Sequence, residues 1–520
     1  MDMFDYIIVG AGSSGCVMAE RLSSKATTSV LLIESGGDNR HPFITMPRGF
    51  GRVNGNPNYN WIYKAQPTGE ATRNEFWLRG RGLGGSSAVN GSVYVRGLPD
   101  DFEEWRQLGC DGWGWQDIER AFFAIEGKTG GLLKVTAHPS PTVLCNAVIG
   151  AAGALGVPAA DDLNTLNDAG IGYQPRTIHR GRRQSAAVAF LAEAAKRPNL
   201  RIMLDSDVRK VMFEDRRAVG VEIQGTGEAH RVHRAREVIL CAGAINSPKL
   251  LLQSGIGPAH ELQSLGIDTV ADSPGVGRNL REHRLLSLQF SIAHGSDNRL
   301  FSGPGLLASL IQYYVLHRGP LTQAAFEVGG FIRTDPVATR PDAQIGFAPF
   351  SLDKSTQRLK FENRSGALCG GYPMRPESTG TIRLRSAEPL MEPLINPNYL
   401  AEEGDRRVSI GIVHFIRRLF AQEHLKAFSP KETWPGAAAV SDDEIIDAFH
   451  RHGGAGFHAA GTCAMGSDER SVVDTRTRVR GVVGLRVADI SIMPRLVSGN
   501  TNAPAMAMAW RAAELIQQDA

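Results

Sequence analysis

Three glycines and one glutamate near the start of the chain have the spacing of a phosphate- and ribose-binding unit. Gly10, Gly12 and Gly15 form G-x-G-x-x-G, and Glu34 follows about 20 residues later. In such a unit the glycines allow a tight turn, close approach of the backbone to a pyrophosphate, and close packing of a helix on a strand. The acid accepts hydrogen bonds from ribose hydroxyls. The pattern predicts a site for an ADP-ribose-type group but does not decide between a nicotinamide and a flavin.

A strand, a helix and a second strand must position this unit. Tyr6–Val9 is a short apolar run typical of a buried strand, Cys16–Leu22 continues with helical spacing, and Val30–Ile33 is a second apolar run. A lone G-x-G-x-x-G is weak evidence, so its place between strand and helix carries the prediction. After Glu34 the chain enters a segment rich in Gly, Pro and Asn, which favours a lid or a loop that covers a cofactor.

The composition is that of a globular protein with more than one structural unit. The 520 residues exceed the size at which a single core stops growing, and 42% hydrophobic with 21% charged residues is ordinary. A net charge of +3 is too small to predict a nucleic-acid or anionic-membrane partner. The six cysteines form no CxxC pair, so we expect reduced thiols rather than a disulfide framework or a zinc site.

Neither the start of the sequence nor its most apolar internal run predicts a secretory or membrane-crossing segment. The first strand begins at about Phe4, which leaves no room for a signal peptide. Leu306–Leu316 is too short to cross a bilayer and contains Gln312 and two tyrosines, so we expect a packed helix there. We therefore predict a cytoplasmic protein without a transmembrane segment, and the oligomeric state stays open.

Similar strand and helix signals return further along the chain. Leu200–Leu204, Val208–Phe213 and Ala218–Ile223 have strand patterns, and Arg236 to Gly257 has the pattern of strand, glycine turn and helix. The C-terminal part adds a strand, an irregular turn and a closing helix. A nucleotide-binding domain assembled from separated segments explains this distribution, with the remaining residues forming a second lobe over the reactive end of the cofactor.

Three further stretches carry a family resemblance. Residues 80–90 read GRGLGGSSAVN, residues 243–248 read GAINSP before SGIG at 254–257, and FHAAGTCAMG and GNTNAPAM begin at Phe457 and Gly499. In this order behind G-x-G-x-x-G, they make the whole chain resemble the glucose–methanol–choline (GMC) family of flavin oxidoreductases. GGSSAVNGSVYVRG and FEVGGFIRT indicate its choline-dehydrogenase-like and aryl- or furfural-alcohol oxidase branch.

The resemblance implies an α/β fold and FAD as the cofactor. A discontinuous Rossmann-like FAD-binding domain would comprise 1–155, 196–290 and 455–520, and an α+β substrate-binding domain with an antiparallel sheet would comprise 156–195 and 291–454. Val89 stands where some members attach the flavin to a histidine, so we expect non-covalent, dissociable FAD. Besides the G-x-G-x-x-G glycines, the implied FAD contacts are Ser13 and Ser14 (pyrophosphate), Glu34 and Ser35 (ribose), Val208 (adenine, through its backbone), Ala488 and Asp489 (flavin), and Leu83, Gly84, Gly85, Ser86, Ser87, Asn90, Gly91 and Val93 (pyrophosphate and isoalloxazine).

The resemblance also places the reacting groups near the C-terminus. His458 matches the active-site histidine and Asn502 matches its partner position, which is His or Asn in relatives. Alcohol oxidation needs a base poised near neutrality, and histidine suits that role; asparagine can orient the substrate and donate to the alkoxide but cannot be a base. The expected reaction converts a primary alcohol to an aldehyde, with hydride passing to flavin N5 and oxygen or another acceptor reoxidising the flavin. We expect no metal, because no ligand set completes the pair His452 and His458.

The sequence leaves the substrate and several alternatives open. Trp61, Phe326 and Phe350 are candidate substrate contacts. Glu327 either meets a cationic substrate such as choline or pairs, as a buried carboxylate, with an arginine such as Arg333. Choline dehydrogenase proper, an FAD-containing cyanohydrin lyase of the same family, a non-catalytic binding protein on this fold and a nicotinamide dehydrogenase are the competing functions.

Overall fold

A mainly parallel sheet forms the first half of the architecture. In the computed structural model, which describes residues 3–69, 74–127, 130–139, 141–224, 230–355, 360–436 and 439–519, this sheet has seven strands. The first five run parallel, and the last two continue His230–Leu240 as an antiparallel meander. In spatial order the strands are Leu200–Met203, Val30–Ile33, Met3–Val9, His230–Leu240 with Leu485–Val487 beside its C-terminal end, Arg217–Gln224 and Val208–Glu214.

An antiparallel sheet forms the second half. Its strands, in spatial order, are Lys431–Trp434, Arg284–Ser291, Gly366–Pro373, Ala343–Ala348, Val328–Ile332 and Gly170–Tyr173, with Gly454–Ala455 on the start of Arg284–Ser291. A smaller sheet holds Thr381–Arg383, Leu394–Asn396, Asn60–Ala65 and Glu75–Gly80. Two further sheets have two short strands each: Ile178–His179 with Arg182–Arg183, and Ile256–Gly257 with Ala271–Asp272.

Helices cover both large sheets. Glu403–Phe420 shows why, because its buried side chains Ile412, Val413, Ile416 and Leu419 recur on one face at helical spacing. The α-helices are Ser13–Leu22, Pro42–Thr45, Phe50–Val53, Ser86–Val89, Pro99–Gln107, Trp115–Ile125, Val143–Ala154, Ala192–Ala194, Gly243–Gln253, Ala259–Ser264, Gly303–Leu316, Glu403–Phe420, Glu423–Lys426, Asp442–His452 and Asn502–Asp519.

The buried strands explain where the first core lies. Val30–Ile33 is buried along its whole length, as expected for a parallel strand covered on both faces. Ser13–Leu22 and Asn502–Asp519 pack against each other, so the two ends of the chain share one hydrophobic cluster. The turns that follow Val9, Ile33, Leu240 and Val487 therefore meet at the carboxyl edge of the parallel strands.

The predicted α/β fold with an antiparallel second lobe is confirmed, and the exact domain boundaries stay a prediction. One local expectation is wrong: Leu306–Leu316, expected as a packed helix, belongs to the largely exposed helix Gly303–Leu316, in which only Ser309 and Tyr313 are buried. Within the described ranges, none of the helices has the length and apolar character needed to traverse a bilayer. All six cysteines are buried and free.

Candidate active site

A cavity of about 410 Å³ lies where the carboxyl ends of the parallel strands face the antiparallel sheet. The volume and position are those of a small-molecule site in an α/β protein. Predicted site residues on its lining are Gly10, Gly12, Ser13, Ser14, Glu34, Ser35, Trp61, Gly85, Ser86, Asn90, Gly91, Val93, Phe326, His458, Asp489 and Asn502. The structure places the other predicted residues off this lining: Gly15, Leu83, Gly84, Ser87, Val208, Phe350 and Ala488.

The first glycine turn leaves room for a ligand. A Cβ atom on Gly15 would overlap the Gly10 carbonyl, so the helix Ser13–Leu22 can approach its strand only with glycine there. A Cβ on Gly12 would have no atom within 4 Å, because Gly12 faces the cavity. The backbone N–H groups of this helix N-terminus therefore face open space, with no acidic side chain in the first turn.

The second glycine loop packs directly on the first. The Gly84 N–H donates to the Ala11 carbonyl at 2.8 Å, and a Cβ on Gly85 would lie 2.7 Å from the Gly12 Cα. The Ser86 hydroxyl accepts from the Gly80 N–H at 3.1 Å, which holds the start of this loop. Two adjacent backbone loops without side chains between them form a surface that suits a pyrophosphate.

Glu34 binds both loops as well as facing the cavity. Its Oε2 accepts from the Ala11 N–H at 2.8 Å, and its Oε1 accepts from Gly36 at 3.0 Å and Gly82 at 2.9 Å. Burial raises the pKa of this carboxyl, while the N–H groups of Ala11 and Gly82 oppose the rise. Glu34 thus holds the loops in register, a role that its sequence position alone does not reveal.

Asp489 supports a third glycine turn on the cavity wall. Its Oδ2 accepts from the Gly243 N–H at 2.8 Å and from the Ser247 hydroxyl at 2.5 Å. Burial raises the pKa of Asp489, and the bond from Ser247 opposes that rise. A Cβ on Gly243 would meet no atom within 4 Å, so this turn also faces open space.

Two histidines and one backbone carbonyl form a hydrogen-bonded chain at the cavity. His283 Nε2 lies 2.7 Å from the Met374 carbonyl, and His283 Nδ1 lies 2.9 Å from His458 Nδ1. A carbonyl only accepts, so His283 carries its proton on Nε2, and its Nδ1 accepts from His458 Nδ1–H. The remaining nitrogen of a neutral His458, Nε2, is then an unprotonated base.

Asn500 contacts that nitrogen. Its Nδ2 lies 3.1 Å from His458 Nε2. The Tyr372 hydroxyl donates to Gln344 Oε1 at 2.7 Å, which leaves Gln344 Nε2 to donate to Asn500 Oδ1 at 3.4 Å. The amide group of Asn500 is thereby oriented with its N–H donors toward the histidine, in agreement with the tautomer that His283 imposes.

An ion pair holds the backbone of both histidines. Glu282 Oε1 accepts from the His458 N–H at 2.6 Å and the His283 N–H at 2.9 Å. Arg79 pairs with Glu282 at 3.2 Å and donates to the Phe457 carbonyl at 2.6 Å. Phe457 has φ +62°, an uncommon conformation for a bulky residue, and these contacts hold it there.

Burial sets the charge states of His458, His283 and Glu282. It lowers the pKa of His458 well below its ordinary value, and the neighbouring His283 and Arg79 act in the same direction. Burial lowers the pKa of His283 to about 3 and raises that of Glu282 to about 7, the latter against the attraction of Arg79. Both imidazoles are therefore neutral around neutral pH, and the pKa of His458 lies below the near-neutral value expected for the base, because the ring is buried.

Asn502 does not contact His458, contrary to its expected place as the partner of that histidine. Its Oδ1 accepts from the Ser13 hydroxyl at 2.7 Å, which links the start of Asn502–Asp519 to the first glycine turn. Asn500, two residues earlier in GNTNAPAM, has the contact instead. The stretch was identified from the sequence, but the choice between its two asparagines was wrong on this contact because it depends on the turn that precedes the helix.

The aromatic and acidic residues predicted as substrate contacts fall into two groups, those on the cavity lining and those away from it. Trp61 and Phe326 line the cavity, whereas Phe350 packs against Phe301 and Phe361 away from it. Glu327 is a buried structural carboxylate that pairs with Arg48 at 2.7 Å and lies 3.5 Å from His138. Arg333, the partner expected from the sequence, pairs with Asp168 instead.

The sequence patterns did not identify four residues around His458: Arg79, Glu282, His283 and Asn500. Only Asn500 had a signal, since it belongs to a stretch that carries the resemblance. His283 lies 175 positions from His458 in the chain, and no spacing pattern joins them.

Comparison with known proteins gives a consistent result. A family model described as GMC oxidoreductase matches residues 4–285, and a second GMC oxidoreductase model matches residues 376–509. The chain is 37% identical to alcohol dehydrogenase [acceptor] of Pseudomonas putida, over 99% of this chain and 96% of that protein. It is 39% identical to mitochondrial choline dehydrogenase of Homo sapiens, over 99% and 90%. The solved structure of an FAD-dependent oxidoreductase from Chaetomium thermophilum superposes with a TM-score of 0.90 at 25% identity, over 99% of both chains.

Proposed function

Because the chain belongs to the GMC oxidoreductase family, we propose that it oxidises a neutral primary alcohol to the aldehyde, with FAD in the cavity and His458 as the base. The observation that carries the proposal is the hydrogen-bonded chain from Met374 through His283 to His458, which leaves His458 Nε2 unprotonated. The family resemblance that the sequence predicted is confirmed, including its relation to choline dehydrogenases.

The residues present fit FAD. Gly12 and Gly243 face open space at two glycine turns, and Gly85 brings a third backbone segment against Gly12. These turns would hold the pyrophosphate, while Glu34 and Ser35 line the part of the cavity expected to receive the ribose. When bound, FAD supplies the acceptor for the hydride from the alcohol carbon. Val89 lies on the cavity wall, and its side chain has no nitrogen with which to form a covalent bond, so we propose that FAD binds non-covalently.

The protein's own contribution is proton removal and alkoxide binding. His458 Nε2 takes the hydroxyl proton of the substrate, which converts the O–H bond electrons into an alkoxide lone pair and makes the C–H hydride easier to remove. His283 stays in contact with Nδ1 and keeps the ring in the required tautomer, a positioning role. The Asn500 amide carries two N–H donors, so it can donate to the alkoxide oxygen while it remains beside His458.

Charge in the cavity favours a neutral substrate over choline. Of the residues described on its lining, the acids are Glu34 and Asp489, and both already accept hydrogen bonds from backbone N–H groups. The Arg81 guanidinium lies 5.0 Å from the centre of the Trp61 ring, where a quaternary ammonium would otherwise stack. Glu327 is paired with Arg48 outside the cavity lining. We therefore propose aromatic, furanic or aliphatic primary alcohols ahead of choline.

Anaerobic mixing tests the proposed reaction. The FAD-loaded protein is mixed with benzyl alcohol, furfuryl alcohol, 1-butanol or choline, and flavin absorbance is followed before and after admission of air. We expect at least one neutral alcohol to bleach the flavin faster than choline does, with an aldehyde formed in equal amount. A flavin that stays yellow with every alcohol while the protein cleaves a cyanohydrin would instead indicate the lyase. Recolouring in air would identify oxygen as an acceptor.

A second prediction separates the two asparagines. Asn500→Ala should slow alcohol-driven flavin reduction by about 100-fold, because it removes a donor to the developing alkoxide. Asn502→Ala, the matched control from the same stretch, should keep the reduction rate within about threefold and mainly weaken FAD retention, since Asn502 contacts the first glycine turn. Rates come from anaerobic stopped-flow absorbance with each variant reconstituted with FAD. Equal effects of the two variants on the reduction rate would contradict the assignment.

A further inference from the structure

The helix Gly303–Leu316 carries an apolar stripe that no part of the described structure covers. Leu307, Ile311, Tyr314 and Val315 are 62%, 54%, 54% and 69% exposed. Their spacing of four, three and one places them on one face of the helix. The helix holds no charged residue, and its buried side chains, Ser309 and Tyr313, face the protein. A contiguous exposed apolar stripe of this kind marks a contact surface.

Arginines surround the stripe. Arg299 precedes the helix and Arg318 follows it, and both are exposed. The hairpin Ile178–Arg183 packs against the helix end, where Gly181 touches the His317 carbonyl so closely that a Cβ atom would clash. That hairpin exposes Arg180 and Arg182. These four arginines form no ion pair within the part of the chain that the structure describes.

Carboxylates are absent from three of the sequence segments that build this face, and those of Asp353 and Glu362, on a fourth segment near Phe361, are paired with Lys360 and Arg364. Residues 39–69, 169–192 and 298–326 contain no Asp or Glu. The three segments pack together, since the Arg183 guanidinium donates to the carbonyls of Ile44 and Pro47, and Pro47–Gly49 contacts Pro320–Thr322. These three segments contain ten lysines and arginines, so the overall charge of +3 is unevenly distributed along the chain.

We propose that this surface, the stripe with Arg180, Arg182, Arg299 and Arg318, docks on an anionic lipid bilayer. An apolar helix face inserts among the lipid chains near the headgroups, and flanking arginines bind the anionic headgroups. A second copy of the chain fits less well, because a symmetric contact through the stripe would bring arginines against arginines. The charge complementarity thus selects a membrane surface over self-association.

Docking would place the cavity close to the lipid. Phe43 of Pro42–Thr45 packs in the same cluster as Tyr313, and Phe50–Val53 contacts Pro42–Thr45. Phe50 and Asn54 from that region line the cavity. A docking surface that adjoins elements of the cavity lining would favour substrates or electron acceptors that dissolve in the bilayer.

Vesicle flotation tests the docking surface. The FAD-loaded protein is mixed with vesicles of equal parts phosphatidylglycerol and phosphatidylcholine, or of pure phosphatidylcholine, and the floated fraction is measured at low and high salt. We expect binding to the anionic vesicles, little binding to pure phosphatidylcholine, and weakening by salt. The double variant Ile311→Gln/Val315→Gln should lower the partition coefficient at least about tenfold, and Arg180→Gln/Arg182→Gln should lower it about tenfold.

Val337→Gln/Leu390→Gln is the matched control, since both residues are exposed apolar side chains on other segments. It should bind like the unaltered protein, and all variants should retain FAD and alcohol-driven reduction. Failure to float with anionic vesicles would overturn the proposal, as would equal flotation of the stripe variant. A dimer that forms without lipid and that Ile311→Gln/Val315→Gln converts to monomer in sedimentation would also overturn it. Flotation that occurs only when an acidic partner protein is added would do the same.

Discussion

Replacement of His458 by alanine should slow alcohol-driven flavin reduction by about 100-fold or more while FAD stays bound. His458 Nε2 is the unprotonated nitrogen at the cavity. Of its two described hydrogen-bonding neighbours, Asn500 is an amide and cannot act as a base, and His283 is not among the residues on the cavity lining. The measurement is the anaerobic reduction rate at saturating alcohol, together with the flavin-to-protein absorbance ratio. His458→Gln, which keeps a polar side chain of similar size, should be impaired to a comparable degree.

The pH dependence gives this prediction a second readout. Burial holds the pKa of His458 well below its ordinary value, so the ring stays mainly in its base form from pH 8 to pH 6, and its protonation should not lower the rate in that range. His260→Ala is the matched control, because that imidazole is 84% exposed and outside the cavity. A reduction rate in His458→Ala that equals the control would rule out His458 as the base.

Replacement of Gly12 by leucine should produce a folded protein that binds FAD at least about 100-fold more weakly. Gly12 has φ −76°, which any residue adopts, and a Cβ there meets no atom of the protein within 4 Å. The added side chain would therefore fill the space that the pyrophosphate needs without straining the fold. FAD affinity is measured by titration of the apoprotein, and folding by circular dichroism.

The thermal shift on addition of FAD separates binding from stability. A ligand that binds only the native state raises Tm, so FAD should raise the Tm of the parent protein and leave that of Gly12→Leu almost unchanged. Gly153→Leu is the matched control, because a Cβ on Gly153 also meets no atom within 4 Å and the residue lies in a helix remote from the cavity lining. Normal FAD affinity in Gly12→Leu would show that the pyrophosphate does not lie against the first glycine turn.

The helix Gly303–Leu316 shows that an apolar sequence pattern predicts a helix but not which of its faces is buried. The pattern correctly predicted a helix at these residues, and their length correctly argued against a crossing segment. It could not say which face is covered, since the helix is apolar on nearly every side. Coverage depends on neighbours such as Phe301 and Leu321, which the sequence pattern does not place against it.

The sequence by itself determined the features that contiguous residues encode. The strand–glycine–helix unit at Gly10 to Gly15, the glycine-serine loop at residues 80–90, and the C-terminal stretches around His458 were identified because each is a local pattern. They were enough to predict the family, the fold class and the cofactor.

Only the tertiary structure decided what distant residues do together. It brought His283 to His458, gave Asn500 rather than Asn502 the contact with that ring, and paired Glu327 with Arg48. Hydrogen-bond direction and the tautomer of a buried imidazole depend on partners a few ångströms away in space, whatever their separation in the chain. A sequence pattern specifies neighbours along the chain, and this chemistry depends on neighbours across the fold.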